Sequence, residues 1–310
     1  MTDNNRWGVI YSPRAGARQG HKRWDMVRSY MESKNIAFDY VQSEGFGSVE
    51  RLAGMLCANG YRTIVVVGGD GTLNDAVNGI MHAEKKADDL ALGLIPNGIG
   101  NDFARFWGRG VEDFRKAVDD VESRRVRKID VGFCDFKEED KDVRRYFVNC
   151  VNIGLGARLV NTLDEMKRIV GPVKNPHIHL GLAQIFERTA FKMDIKADMH
   201  NISGDVMSVC IGNSLGYGQT PAAVPYNGML DMSVVTRPRW WQYLEGFWLL
   251  GKGHFLNYKN VKPYRISHIR VIDAGGASIS IDGKIIKNKD ILPMNIGIDK
   301  ECLNYIIPSF

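Results

Sequence analysis

The sequence predicts an α/β fold in two parts, a doubly wound parallel sheet followed by a β-rich domain. Three observations predict it. The chain has 310 residues, long for a single core. Short apolar runs alternate with helix-spaced segments as far as about Arg125, the pattern of a parallel α/β layer. Beyond that point strand mostly follows strand, as in a separate β-rich domain. The boundary falls near residues 124–128, giving domains at 1–126 and 127–299.

Trp7–Tyr11 is a short apolar strand running into the loop Ser12-Pro13-Arg14-Ala15-Gly16. Lys22–Lys34 carries Trp24, Val27, Tyr30 and Met31 at helical spacing. Ala37–Val41 is the next strand, and Val49–Asn59 a helix stopped by Gly60. Thr63–Val67 is a β-branched run of the kind buried on both faces. After the turn at Gly68–Thr72, Leu73–Met81 reads as a helix, Leu90–Ile95 as a strand, and Asp102–Phe106 as a helix start. The second part reads as strands at Lys128–Asp135, Arg145–Ile153, Met193–Asp198, Asp205–Gly212, Asp231–Thr236, His268–Ala274 and Ser278–Ile281. Helices at about Ala157–Thr189 and Arg239–Gly251 interrupt them.

Composition narrows the function classes. A chain 44% hydrophobic and 25% charged is an ordinary globular protein, which excludes a disordered or fibrous one. The formal charge of +5 suits an anionic surface such as phosphate or acidic lipid, and equally plain solubility. No basic run is dense enough for nucleic acid. Five cysteines, an odd number with no CxxC pair, fit buried free thiols in a reducing compartment. The first residues carry no secretory signal, and no run of about 18 apolar residues occurs. These features together predict a cytoplasmic protein, with the inner face of a membrane as a peripheral location.

The most informative segment is Val65-Val66-Val67-Gly68-Gly69-Asp70-Gly71-Thr72-Leu73-Asn74. A buried strand enters three glycines and then a helix. Glycines let backbone approach a ligand closely, and the N–H groups of such a turn form an anion site. Asp70, a poor partner for bare phosphate, makes sense as a Mg²⁺ ligand or as acceptor of a hydroxyl proton. A tight βα turn alone does not require this composition. A second strand–loop–helix unit follows at Leu94–Arg105, with Gly98, Ile99, Gly100 and Asn101 in its loop. Two such loops converge at the C-terminal edge of a sheet, where open α/β sheets bind ligands. Asn101 or Asp102 is the local candidate to cap the second helix. His177 and His179 lack acidic or thiol partners at metal-binding spacing and read as structural or exposed.

Together these segments resemble the diacylglycerol-kinase catalytic domain family, which includes bacterial lipid kinases and sphingosine kinases. The residues that carry the resemblance are GGDGT at 68–72 with LNDAVNG at 73–79, GIGNDFAR at 98–105, and SPRAG at 12–16. Ile129–Gly132, Asn152–Gly156, Gly212–Ser214, Tyr226–Asp231, Gly251–His254 and Ile281–Gly283 follow in family order. GGDGT alone is shared with NAD kinases; the combination is far more specific. The resemblance implies that the first domain binds ATP and that the second is β-sandwich-like and helps form a lipid cleft. The tail at about 300–310 is then expected to pack back on the first domain. Implied ATP contacts are Ser12, Pro13, Arg14, Ala15, Gly16, Ser43, Gly68, Gly69, Gly71, Thr72, Leu73, Asn74, Gly98, Ile99 and Asn101. Implied catalytic residues are Asp70, Asp282 and Lys284, with Mg²⁺ on Asp70 and Asp282 and, weakly, on Asn227. Dimers are common among such families, so a homodimer is compatible with the resemblance.

Three departures stand against the family pattern. Ile99 replaces a Thr, Asn227 replaces an Asp in an acidic metal loop, and Lys284 replaces the Glu of a DGE segment commonly assigned as general base. Two readings follow: an active ATP-dependent lipid kinase in which Lys284 neutralises phosphate charge, or a nucleotide- or lipid-binding relative without chemistry. An NAD kinase needs only GGDGT and fits less of the chain.

One further segment stands out. Trp240, Trp241, Leu244, Phe247 and Trp248 share one helix face, beside Arg237, Arg239 and Lys252. Such a stripe is more often core, so the first expectation is a helix packed on the β-rich domain. The second is an interfacial helix at a membrane.

Overall fold

A computed structural model describes residues 5–13, 15, 20–45, 47–157, 190–237, 242–287 and 290–309, without the side chains of Tyr243 and Phe247. Arg14 and Gly16, almost all of the expected helix at 157–189 with His177 and His179, and Trp240 and Trp241 lie outside the described residues. The chain divides into two compact units, Met1–Ile129 with Glu301–Phe310, and Asp130–Lys300.

The first unit is built on four parallel strands, β1 (Trp7–Tyr11), β2 (Phe38–Gln42), β3 (Thr63–Gly68) and β4 (Ala91–Pro96), in the order β2-β1-β3-β4. Every residue of β1, β3 and β4 is buried, which is why these runs are continuously apolar. β2 at the edge is half exposed, and its sequence is correspondingly mixed. The helices are α1 (Gly20–Ser33), α2 (Ser48–Ala58), α3 (Asp70–Met81), α4 (Asp102–Phe106) and α5 (Phe114–Ser123). Trp24, Val27 and Met31 of α1 and Ala117, Val118 and Val121 of α5 pack with Val9, Val65, Val67 and Ile95 of the sheet. The carboxyl-terminal segment adds to this unit. Tyr305 pairs in parallel register with Leu92, Asn304 Nδ2 donates to Leu90 O at 3.1 Å, and Ile307 N donates to Arg125 O at 2.8 Å.

The second unit is antiparallel. Its strands are β5 (Val126–Glu138, entering from the first unit), β6 (Lys141–Phe147), β7 (Cys150–Gly154), β8 (Phe191–Ala197), β9 (His200–Gly212), β10 (Leu230–Thr236), β11 (Val261–Ile266), β12 (Ile269–Asp273), β13 (Ile279–Ile281), β14 (Lys284–Ile285) and β15 (Met294–Ile306, leaving for the first unit). The long β9 is the hub. It pairs with β8 through its first half and with β7 and β10 through its second. Val151, Ile153, Val209, Ile211, Met232, Val234, Ile279 and Ile281 fill one contiguous core with β8, β12 and β15. Helix α6 (Gln242–Gly251) follows β10 in the chain.

Where a single strand was expected at 145–153, there are two, broken at Val148 and Asn149. The reason is chemical: both backbone N–H groups turn to a carboxylate instead of a neighbouring strand. All five cysteines are free, and four of them are buried. No helix among the described residues is long and apolar enough to cross a membrane.

Candidate functional site

Because β1–β4 are parallel, the residues that follow them lie along one edge of the sheet. Ser12 follows β1, Ser43 follows β2, Gly68 and Gly69 close β3, and Asn97 follows β4. Backbone bonds knit this edge together: Ser12 N to Val67 O at 3.1 Å, Ser43 N to Tyr11 O at 2.9 Å, and Asn97 N to Gly68 O at 2.8 Å. Ser12 and Ser43 are buried, and Ala15 N donates back to Ser12 O at 3.2 Å.

The two glycine-rich loops touch. A Cβ on Gly69 would stand 2.9 Å from the Gly98 Cα, and a Cβ on Gly98 only 2.5 Å from the Gly69 Cα. Neither position has room for a side chain, so the need for glycine here is close approach of backbones. The first loop is itself the start of a helix. α3 begins at Asp70, three residues before the expected Leu73, with Thr72 N and Leu73 N bonding Gly69 O at 3.0 Å. Gly71 and Thr72 are half-buried at this N-terminus, while Leu73 and Asn74 are buried behind it.

Asp70 is the joint between the loops. Its Oδ2 accepts from Asp102 N at 3.0 Å and its Oδ1 from Phe103 N at 3.0 Å. Two first-turn N–H groups of α4 are thereby satisfied by a carboxylate 32 and 33 residues away. The local candidates do not do this. Asn101, in a left-handed conformation, closes its own loop: Gly98 N donates to Asn101 Oδ1, and Asn101 Nδ2 to Gly98 O, both at 2.8 Å. Ile99 at the loop tip is exposed. Behind α4, Phe103 meets Tyr305 edge-on at 5.2 Å, and Trp107 stacks on Tyr305 at 5.6 Å. The tail thus braces the helix that Asp70 caps. Burial, with the charges of Asp120 and Asp70, pushes the Tyr305 hydroxyl well above its usual pKa.

One residue here escaped the sequence reading. Asn97 is 1% exposed, and its Oδ1 is buried with no hydrogen-bond partner among the described residues. A buried orphan acceptor beside two glycine loops is where a ligand donor fits. The only signal in the sequence was a polar residue placed directly after Pro96.

In the second unit, Asp282-Gly283 forms the two-residue turn between β13 and β14, with φ of 43° and 83°, and Ile281 pairs with Lys284. Both positive φ values identify the hairpin turn that Asp-Gly favours. Asp282 is 2% exposed. Its carboxylate accepts from Val148 N at 2.8 Å, Asn149 N at 2.9 Å and Cys150 N at 2.7 Å. Lys284 stands half-buried at the start of β14. Asn227 Oδ1 accepts from Met229 N at 3.0 Å, and Gly228 N donates to the buried Asp130 at 2.6 Å.

These surroundings test the expected metal ligands. Among the described residues no three His, Cys, Asp or Glu side chains cluster as a metal group. Asp282 is enclosed by three N–H donors and offers a hydrated cation no room, so it fits an anchor for the 148–150 loop instead. Asn227 spends its oxygen within its own turn. Asp70 accepts from Asp102 N and Phe103 N and, unlike Asp282, is partly exposed. Mg²⁺ keeps several waters and phosphate ligands when it travels with a nucleotide, so one such carboxylate is enough for it.

Comparison with known proteins places the chain. Residues 6–134 match the diacylglycerol kinase catalytic domain family, and residues 149–305 match a C-terminal domain described as YegS C-terminal NAD kinase beta sandwich-like. A probable lipid kinase, YegS-like, from Pseudomonas savastanoi is 29% identical over 79% of this chain and 76% of its own. The diacylglycerol kinase of Bacillus subtilis is 24% identical over 89% of this chain and 88% of its own. A solved structure of a putative diacylglycerol kinase from Bacillus anthracis superposes with a TM-score of 0.75 at 19% identity, covering 100% of this chain and 99% of that one. The chain belongs to the lipid kinases that join a diacylglycerol kinase catalytic domain, here residues 6–134, to a YegS-type C-terminal domain, here residues 149–305.

Proposed function

We propose that the protein is an ATP-dependent lipid kinase that transfers the γ-phosphate to a hydroxyl of diacylglycerol or a related lipid alcohol. The observation that carries this reading is Asp70, whose carboxylate ties the Gly68–Thr72 turn to the Gly98–Asn101 loop at the C-terminal edge of a parallel sheet. The N-terminus of α3 and the backbone N–H groups of the two loops bind the phosphates, as helix starts and glycine turns do. Ser12, Ser43 and Asn74 line the same edge. Asp70 would hold the Mg²⁺ that accompanies ATP, and the ion would neutralise charge on the phosphates. Asn97 Oδ1 accepts a hydrogen bond from the nucleotide.

Phosphoryl transfer has a loose transition state in which positioning and charge neutralisation outweigh proton removal. A lipid alcohol therefore does not require the Glu that Lys284 replaces. Asp282 sets the hairpin on which Lys284 stands. The second reading, a nucleotide-binding relative without chemistry, draws its support from that same lysine.

The test is transfer of label from ATP with Mg²⁺ to a panel of lipid alcohols in mixed micelles: diacylglycerol, a sphingoid base and a ceramide. A labelled lipid establishes the kinase and its acceptor class. ATP binding without a labelled lipid favours the second reading, and label on NAD would move the assignment to NAD kinases.

A further inference from the structure

Helix α6 divides its residues between two faces. Gln242, Gly246 and Leu249 are buried; Gly246 sits close under the Tyr258 ring, where a Cβ would stand 3.1 Å from it. Leu249 packs with Leu155, Met207, Val235, Phe255, Tyr258 and Val261. At about 100° per residue these three positions cluster on one side of the helix. Leu244 and Trp248 lie on the other side, one turn apart, and are 59% and 63% exposed. Lys252 extends the same row by a further turn, its N–H still bonded to Trp248 O at 3.1 Å, and it is exposed. The helix packs on the β-rich domain, as first expected, but through Leu249, while Leu244 and Trp248 of the stripe stay exposed. Two large apolar side chains on an exposed helix edge, ending in a lysine, need a covering.

Charge chooses the covering. Arg237, Lys252, Lys259 and Lys262 are exposed within this stretch against one exposed acid on the helix, Glu245. Tryptophan prefers the boundary between headgroups and acyl chains, and lysine beside it meets anionic headgroups. We propose that the Leu244–Trp248–Lys252 edge of α6 is the surface by which the protein docks on an anionic lipid bilayer. Leu244 and Trp248 enter the interface, and the basic residues around them select acidic headgroups. The reason for such a surface rests on the lipid-kinase reading, because a diacylglycerol-type acceptor stays in its membrane.

Sedimentation with phosphatidylcholine vesicles, with and without phosphatidylglycerol and without nucleotide, tests the surface separately from the chemistry. The native protein is expected to bind the phosphatidylglycerol vesicles, and less tightly at raised salt. Leu244→Ala with Trp248→Ala is expected to lower the partition coefficient by roughly tenfold or more, and Trp248→Phe to retain most of it. Lys252→Glu is expected to weaken binding to anionic vesicles only. Both apolar side chains are exposed, so the double variant should keep the native melting curve and phosphorylate a water-soluble short-chain diacylglycerol at the native rate. Equal sedimentation of native and double variant overturns the docking surface and leaves the kinase reading standing. So does a native dimer that the double variant turns into a monomer with vesicle binding unchanged, since the edge would then cover a second copy. Vesicle binding lost with these substitutions, in a protein that phosphorylates no lipid, would support the surface and overturn the kinase.

Discussion

Asp70→Asn separates structure from chemistry in the glycine-rich turn. The native carboxylate takes the N–H groups of Asp102 and Phe103 on separate oxygens, both at 3.0 Å. An amide keeps one acceptor and turns an NH₂ group towards the other N–H. One charge-assisted bond is lost, worth about 1.5–3 kcal/mol, and the negative charge at the start of α4 disappears, worth a further ~0.3–1 kcal/mol. About 2–4 kcal/mol of stability should go, and the damage should be local, because Gly98 stands against Gly69 and α4 carries Phe103 onto Tyr305. The expected result is a loss of phosphoryl transfer together with a lower unfolding midpoint in urea and weaker ATP binding. Asp70→Ala should cost more, since it leaves both N–H groups without an acceptor. Transfer of label from ATP, calorimetric ATP titration and urea denaturation together measure these three quantities. Full native stability and affinity in Asp70→Asn, with activity abolished, would refute this reasoning and give Asp70 a purely chemical role.

Asp282→Ala removes the acceptor of three N–H groups from a residue 2% exposed and leaves an alanine at φ 43°, so urea denaturation should show a loss of at least about 3 kcal/mol. Asp282→Asn, which tolerates that backbone, should cost less. Tyr305→Ala deletes the ring between Phe103 and Trp107 and should cost about 3–5 kcal/mol, with ATP affinity falling in step because α4 loses its brace. Tyr61 has its hydroxyl pushed up to about 12 by burial and by its bond to Asp39, against a usual 10.0. The folded state favours the neutral phenol, so its contribution is complete below pH 10 and fades as pH rises through 12. The melting temperature should fall across that window, and Tyr61→Phe should flatten the fall.

The sequence carried β1, β3 and β4 almost to the residue, because buried parallel strands are continuous apolar runs and each was bounded by a loop. It also carried the two glycine loops, since three glycines around Asp70 exceed what a turn needs. What it hid is instructive. The cap of α4 comes from a residue more than thirty positions away, and no local pattern marks it. The nearby Asn101 and Asp102 looked like caps because capping is read locally. The break between β6 and β7 was invisible for the same reason, as its cause is Asp282, more than 130 residues on. Helix α5 and strands β11, β14 and β15 went unread. In β15 exposed and buried positions are mixed along thirteen residues, so no clean alternation marks it. The stripe around Trp248 had the right period, but period alone does not say which face is covered.

Asp70 and Asp282 sit in motifs that suggest acid–base chemistry, yet each carboxylate holds the backbone N–H groups of a neighbouring turn. On the hairpin that Asp282 anchors, Lys284 stands where the family pattern has Glu, and this decides how the replacement should behave. If Lys284 neutralises developing phosphate charge, Lys284→Glu puts a negative charge where positive charge is needed. Turnover should then fall on the order of a hundredfold, about 2.7 kcal/mol of transition-state stabilisation. Lys284→Met should lose less, and ATP affinity should barely change in either variant. If the position instead serves a general base that this chain has lost, restoring Glu should raise turnover and introduce a rate dependence on a carboxylate ionisation at low pH. Turnover of the native protein, Lys284→Met and Lys284→Glu between pH 5 and 9 separates the two, and a gain with Glu would refute the charge-neutralising role.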